Sequence, residues 1–385
     1  MSPGNASSSS RIETRDLAGA FKVKRTLLVG AEGISVAQLP LNLAIKCWVA
    51  QSGTAANGKE DVGMSTQFNA GGHAGHGMDG MQRVPRGSFA MGSNRHYAEE
   101  APMRRCVVEP FFIDTTSVTN RMYAEFVRTT GYVTVAERPL DPARYPGADP
   151  RSLQPGAMVF MLPPPGTPAV DWRHWWAYVP GAHWRRPEGA QTVDEDRLDH
   201  PVTCVAYEDA EAYARWAGKQ LPTEAQWEFA ARGGLEGAEY AWGSEFMPGG
   251  RRMANSWQGE FPHDARLSPA AHRTTAVGSF PANGYGLFDM IGNTWEWTRD
   301  WYTLSGHDRG SGCCGEPPPD SYDPALPAVR IPRRVLKGGS FLCAANYCAR
   351  YRPAARQPQT VDTASVHIGF RCVRPIEALT PRAPA

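Results

Sequence analysis

Glycine and proline set the first limit on what this chain can fold into. It carries 39 of one and 33 of the other in 385 residues, spread so that few stretches run far without a backbone break. Proline removes a helical donor, and glycine raises the entropy cost of any regular element. Long helices are therefore excluded, and turns and loops must make up much of the fold.

The charge balance narrows the partners. With 21% charged residues and a net charge of +1, the chain lacks the basic excess that draws a protein to nucleic acid or an anionic membrane. Neither partner is expected. The most apolar early stretch, Leu27 to Ala50, is interrupted by Glu32, Pro40 and Lys46, too often for a bilayer span. It also lacks the layout of a secretory signal. The eight cysteines (Cys47, Cys106, Cys204, Cys313, Cys314, Cys343, Cys348 and Cys372) form no periodic framework, which fits a reducing compartment. A cytoplasmic, monomeric protein is the expectation.

Three segments are predicted: a disordered tail over residues 1–82, a packed domain over 83–376, and a frayed tail over 377–385. The first contains a serine run and a Gly/His/Met-rich stretch, where His73, His76, Met78 and Met81 read as linker rather than as a soft-metal site. In the domain, Cys106 to Asp114 reads as β-rich. Thr119-Asn120 caps a helix that runs to about Thr129 and stops at Gly131. Asp209 to Gly218 is an amphipathic helix, and Thr223-Glu-Ala-Gln226 is a capping box opening another that stops at Gly233-Gly234. The proline-rich region Pro139 to Pro168 reads as ordered loop at best. It leads to Trp172, Trp175, Trp176 and Trp184, which either plug a core or wall a groove. Val335 to Phe341 and His367 to Val373 are the final strands. The class is α+β with low regular secondary-structure content.

The stretch Arg334 to Arg356, RVLKGGSFLCAANYCARYRPAAR, holds the chemistry-bearing residues. Cys343 and Cys348 sit between a Gly-Gly-Ser turn and a run of arginines and tyrosines. Such a pair is a disulfide, two small buried hydrophobes, or a reactive thiol pair. Arg350, Arg352 and Arg356 would lower the thiol pKa values if they point inward.

The elements GSFAMGS (87–93), LPTEAQWEFAARGG (221–234), NSWQGEF (255–261), NGYGLFDMIGNTWEW (283–297), RVLKGGSFLC (334–343) and GFRC (369–372), with AHWRRPEG (182–189), resemble the formylglycine-generating enzymes in order. The resemblance implies a C-type-lectin-like fold. It also implies O2-dependent oxidation of a cysteine in an unfolded sulfatase polypeptide, in a Cys-x-Pro-x-Arg segment, to Cα-formylglycine. By similarity Cys343 and Cys348 hold Cu(I), with Ser340, Trp295 and Arg356 beside it and His367 in the substrate cleft, where it would titrate near neutral pH. Soft copper suits a two-thiolate site. The resemblance further implies Ca2+ held by Asp289, Glu296 and the carbonyls of Gly292 and Thr294. A second calcium site would use the carbonyls of Asn255 and Ser256, but its acid falls in register on Pro269, with Asp264 the nearest substitute. Ser117 stands where relatives carry an acid. The structural disulfides of secretory members need partners at Ala214, Ala231 and Pro353, so Cys372 is expected to be a buried thiol. The competing reading is a non-catalytic, lectin-like binding module on the same scaffold.

Overall fold

The computed structural model describes residues 80–164, 166–167, 171–263, 272–304 and 316–376. Residues 1–79 and 377–385, the rest of the histidine-rich stretch, the Asp264–Pro269 loop and the Cys313–Cys314 pair lie outside them, whereas Met81 and Gln82, expected in the tail, belong to the domain's first strand.

The chain begins with β1 (Met81–Val84) and β2 (Gly87–Met91). The β-rich run that follows is two strands, β3 (Arg104–Val108) and β4 (Phe111–Asp114), divided at Glu109-Pro110. β2 and β3 form an antiparallel hairpin. Helix α1 (Asn120–Thr130) starts where its cap predicts, with the Thr119 hydroxyl accepting from the Met122 amide, and ends on Gly131 at φ 69°. The proline-rich region contains a strand that its composition conceals. β5 (Gly156–Phe160) pairs antiparallel with β6 (Trp176–Pro180), so a distant partner supplies the order that local propensity withholds. Helices α2 (Tyr207–Trp216) and α3 (Glu224–Arg232) follow, α3 with the predicted reciprocal bonds between Thr223 and Gln226.

The remaining strands are β7 (Trp295–Trp301), β8 (Arg333–Lys337), β9 (Arg356–Thr360), β10 (Ile368–Gly369) and β11 (Val373–Pro375). They make a four-stranded sheet in the order β10-β7-β8-β9, while β11 joins β1 and β4 in a three-stranded sheet. Both predicted final strands are shorter than expected. β8 stops at Lys337 because Gly338 and Gly339 take φ 97° and 73°. A Cβ on Gly339 would stand 2.8 Å from the Arg350 carbonyl oxygen, so this turn requires glycine. The last run splits because the chain leaves one sheet after Gly369 and enters the other at Val373.

The aromatic-rich core packs α1 and α2 against the four-stranded sheet, burying Tyr123, Phe126, Tyr213, Trp297 and Phe370. One buried carboxylate, Asp209, ties the helices together. It accepts from the Ala206 and Val135 amides at 2.8 and 3.0 Å and from the Tyr132 hydroxyl at 3.1 Å. Burial nevertheless pushes its carboxyl up to about 7. The folded state then holds a proton that the unfolded chain has lost, so this group's contribution to stability falls as pH rises from about 4 to 7. Chemical denaturation across that window should show this slope, and Asp209→Asn should flatten it.

Candidate active site

The register of the four-stranded sheet builds the site. β8 and β9 pair antiparallel with Lys337 opposite Arg356, so the chain between them, Gly338 to Ala355, leaves and returns at one point. This excursion carries Ser340, Cys343 and Cys348. Cys343 and Cys348 are both buried, and their sulfurs stand 3.6 Å apart. A disulfide requires about 2.05 Å, so the pair is not bridged. The Ser340 amide points at the Cys343 sulfur from 3.4 Å, and the Ser340 hydroxyl accepts from the Leu342 amide at 3.3 Å.

A cleft of about 30 Å³ opens onto these sulfurs, lined by Trp176, Phe261, Trp295, Ser340, Leu342, Tyr347, Gln357 and His367 together with both cysteines. That is room for one or two small species, of the size of an ion or a diatomic gas. Trp295 and His367 arrive together because β10 runs parallel to β7, and the Trp295 amide donates to the His367 carbonyl at 2.9 Å. The predicted residues Cys343, Cys348, Ser340, Trp295 and His367 therefore converge. Of the tryptophans expected to plug a core or wall a groove, Trp176 lines the cleft, while sequence reasoning missed Phe261, Leu342, Tyr347 and Gln357. Tyr347 and Leu342 adjoin the cysteines in sequence and were open to notice. Phe261 comes from a remote turn and stacks on Tyr347 with ring centroids 4.2 Å apart.

Three expectations are corrected. Arg356 does not line the cleft: it is buried in a two-pronged pair with Glu224, at 2.7 and 2.9 Å. Nor do Arg350 and Arg352 face the thiols as loose cations, since Arg350 is bound by Glu99 and Arg352 by Glu100 at 2.6 and 2.8 Å. His367 does not titrate near neutral pH. Its ring is buried edge-on to Trp176, and desolvation pushes its pKa down to about 3.

Two buried thiols 3.6 Å apart beside a small cavity suit one soft ion. Among the described residues no group of three or more His, Cys, Asp and Glu is placed to hold a metal, so the protein would supply two ligands and leave coordination open. The calcium set does not fit as expected. Glu296 is fully engaged: Arg371 grips it at 2.8–3.0 Å, the Ser117 hydroxyl donates at 2.7 Å, and the Trp227 indole donates at 2.7 Å. These donors fill the acceptor capacity of one carboxylate. An acid at position 117 would set two carboxylates face to face, whereas serine donates. Asp289 differs, for its Oδ2 accepts from the Gly278 amide at 2.8 Å while its buried Oδ1 has no hydrogen-bond partner. At the second set, the Asn255 and Ser256 carbonyls already accept from the Asn293 amide and the Gln258 amide group, at 2.8 and 3.0 Å. Cys372 is a buried thiol, as expected, and its amide donates to Asp114.

Residues 69–376 match the model of the sulfatase-modifying factor enzyme 1-like domain. The chain belongs to this family. Among its relatives, the formylglycine-generating enzyme of Mycobacterium tuberculosis is 54% identical over 293 residues, covering 75% of this chain and 96% of the relative. That of Thermomonospora curvata is 44% identical over 302 residues, covering 76% and 92%. The inactive Cα-formylglycine-generating enzyme 2 of Mus musculus is 37% identical over 304 residues, covering 77% and 87%. Membership in the sulfatase-modifying family therefore fixes the fold, and the site must argue for chemistry.

Proposed function

We propose that this protein activates sulfatases by oxidising a cysteine in a Cys-x-Pro-x-Arg segment of the unfolded polypeptide to Cα-formylglycine: two electrons and two protons of the cysteine pass to O2, and water replaces the sulfur, which leaves as sulfide. The observation that carries the reading is the Cys343–Cys348 pair, buried but not bridged, at the floor of a small cleft. A binding module has no use for two thiols held 3.6 Å apart beside a void.

Cu(I) bound by the two thiolates would supply one-electron access to O2, which carbon and sulfur groups alone lack. The protein's own groups set the conditions. The Ser340 amide, aimed at the Cys343 sulfur, offers it a hydrogen bond. Trp176, Trp295, Phe261 and Leu342 exclude bulk water and leave room only for small reactants. The Ser340 hydroxyl, itself buried, offers a hydrogen bond beside the sulfurs. The neutral His367 ring adds no charge to the thiol site. Calcium is assigned no part: among the described acids of the implied sites Asp289 alone keeps an oxygen to spare, and Glu296 is committed to Arg371, Ser117 and Trp227.

The proposal is tested by oxygen uptake together with thermal unfolding. Cu(I) held at 100-fold above its dissociation constant should stabilise the protein by about 2.7 kcal/mol. Oxygen consumption should then begin on addition of a Cys-x-Pro-x-Arg peptide and not of its Ser-x-Pro-x-Arg analogue. A protein indifferent to Cu(I) and to the peptide would instead be a binding module.

A further inference from the structure

The excursion that carries the two cysteines is held by two sets of acids that lie far from it in sequence. The root of the excursion rests on Glu224 and Glu228 of α3. Lys337 pairs with Glu228 at 3.0 Å and with Glu224 at 3.5 Å, and Arg356 pairs with Glu224. The limb that follows Cys348 is held differently. The Arg350 amide donates to the Cys348 carbonyl at 2.8 Å, and the Arg352 guanidinium donates to the Ala349 carbonyl at 2.9 Å. Both arginine heads then run into the segment between β2 and β3. Arg352 meets Glu100 in a two-pronged pair whose side chains are 2% and 0% exposed, while Arg350 meets Glu99 and lies over the Tyr97 ring at 4.0 Å. That segment is fixed in turn. The Ser93 amide donates to the Glu100 carbonyl, and the Gly92 amide donates to Glu228, the acid that holds Lys337.

We infer that Glu100 is a positioning residue for the thiol pair, acting through Arg352 to hold the Ala349 carbonyl and, through that adjoining residue, to set the distance of Cys348 from Cys343. Glu99 acts in the same sense through Arg350, with less effect because it is partly exposed. Two physical consequences separate this role from mere packing. A guanidinium left buried without its acid must move to find a partner, and Ala349 moves with it because Arg352 holds its carbonyl. The acids also cancel the arginine charge, so the thiols are positioned by the arginines rather than surrounded by loose positive charge.

The test needs neither copper nor a sulfatase peptide, so its outcome is independent of the reading above. The thiol–disulfide equilibrium of Cys343 with Cys348 in the folded, metal-free protein is measured against glutathione, with the other six cysteines (Cys47, Cys106, Cys204, Cys313, Cys314 and Cys372) replaced by alanine or serine. Glu100→Gln should lower the effective concentration of the two thiols at least about tenfold, roughly a 30 mV change in potential. Glu100→Asp should recover part of it, and Glu99→Gln should give a smaller shift of the same sign. If Glu100→Gln does not fold, Arg352→Lys and Glu99→Gln provide the measurement at the same linkage. A Glu100→Gln protein that melts above the assay temperature with the wild-type equilibrium overturns the proposal. So do Arg352→Lys and Glu99→Gln proteins with that equilibrium.

Discussion

Cys348→Ser is expected to fold, to melt within a few degrees of the parent, and to lose peptide oxidation to background. The substitution is nearly isosteric, and a buried hydroxyl without a full set of partners costs about 1–3 kcal/mol. Catalysis has no such margin. Losing an outer-shell partner of a metal ligand typically costs roughly 10–100-fold in affinity or activity, so losing one of the two proposed copper ligands should exceed the upper end of that range. Cys343→Ser should behave alike, because the sulfurs form one unit 3.6 Å across. Cu(I) titration with a competing chelator and steady-state oxygen uptake check both variants. If either kept full turnover, a mechanism that needs both sulfurs would be wrong.

The second large effect is one of stability. Glu296→Gln should destabilise the fold by about 3–5 kcal/mol, the range for breaking a buried pair and stranding its partner. Arg371 is fully buried; among the described residues its side-chain hydrogen-bond partner is Glu296, and its other hydrogen bonds go to the carbonyls of Asp114, Thr115, Phe288 and Asp289. The change also weakens the acceptors for Ser117 and Trp227, which joins the loss at one carboxylate to the core around α3. Urea unfolding of the variant, with calcium and with a chelator, distinguishes the two accounts of this residue. An ion-pair role predicts the same loss in both solutions, whereas a calcium-ligand role predicts a loss confined to the calcium-loaded protein.

What was legible in the sequence divides by the range of the interaction. Helix ends were readable because each determinant lies within four residues of the end it sets: Thr119 and Gly131 at the two ends of α1, Thr223 with Gln226 at the start of α3 and Gly233 at its end. The clustering of Ser340, Cys343 and Cys348 was readable because one excursion carries all three. The partners of Arg350, Arg352 and Arg356 were not. Glu99 and Glu100 precede their arginines by about 250 positions, and nothing in a run of arginines tells whether they face a thiol or an acid. The same holds for Glu296, whose neighbours Gly292, Asn293 and Thr294 suggest a turn that binds a cation. Only the arrival of Arg371, through the link between β10 and β11, shows that its oxygens are already used. β5 was hidden for a related reason, because its register is supplied by β6 from beyond a loop rather than by its own composition.

His367 shows the limit in a single residue. Its place beside the thiols followed from its position just before GFRC, but its protonation depended on burial against Trp176, which no local pattern reveals.

The most direct measurement is mass spectrometry of a Cys-x-Pro-x-Arg peptide after incubation with the Cu(I)-loaded protein in air. The account predicts a peptide that has lost its thiol and gained an aldehyde, trapped by a hydrazide, with no such product under argon or with Cys348→Ser. An unchanged peptide, or one converted only to its disulfide, would contradict it.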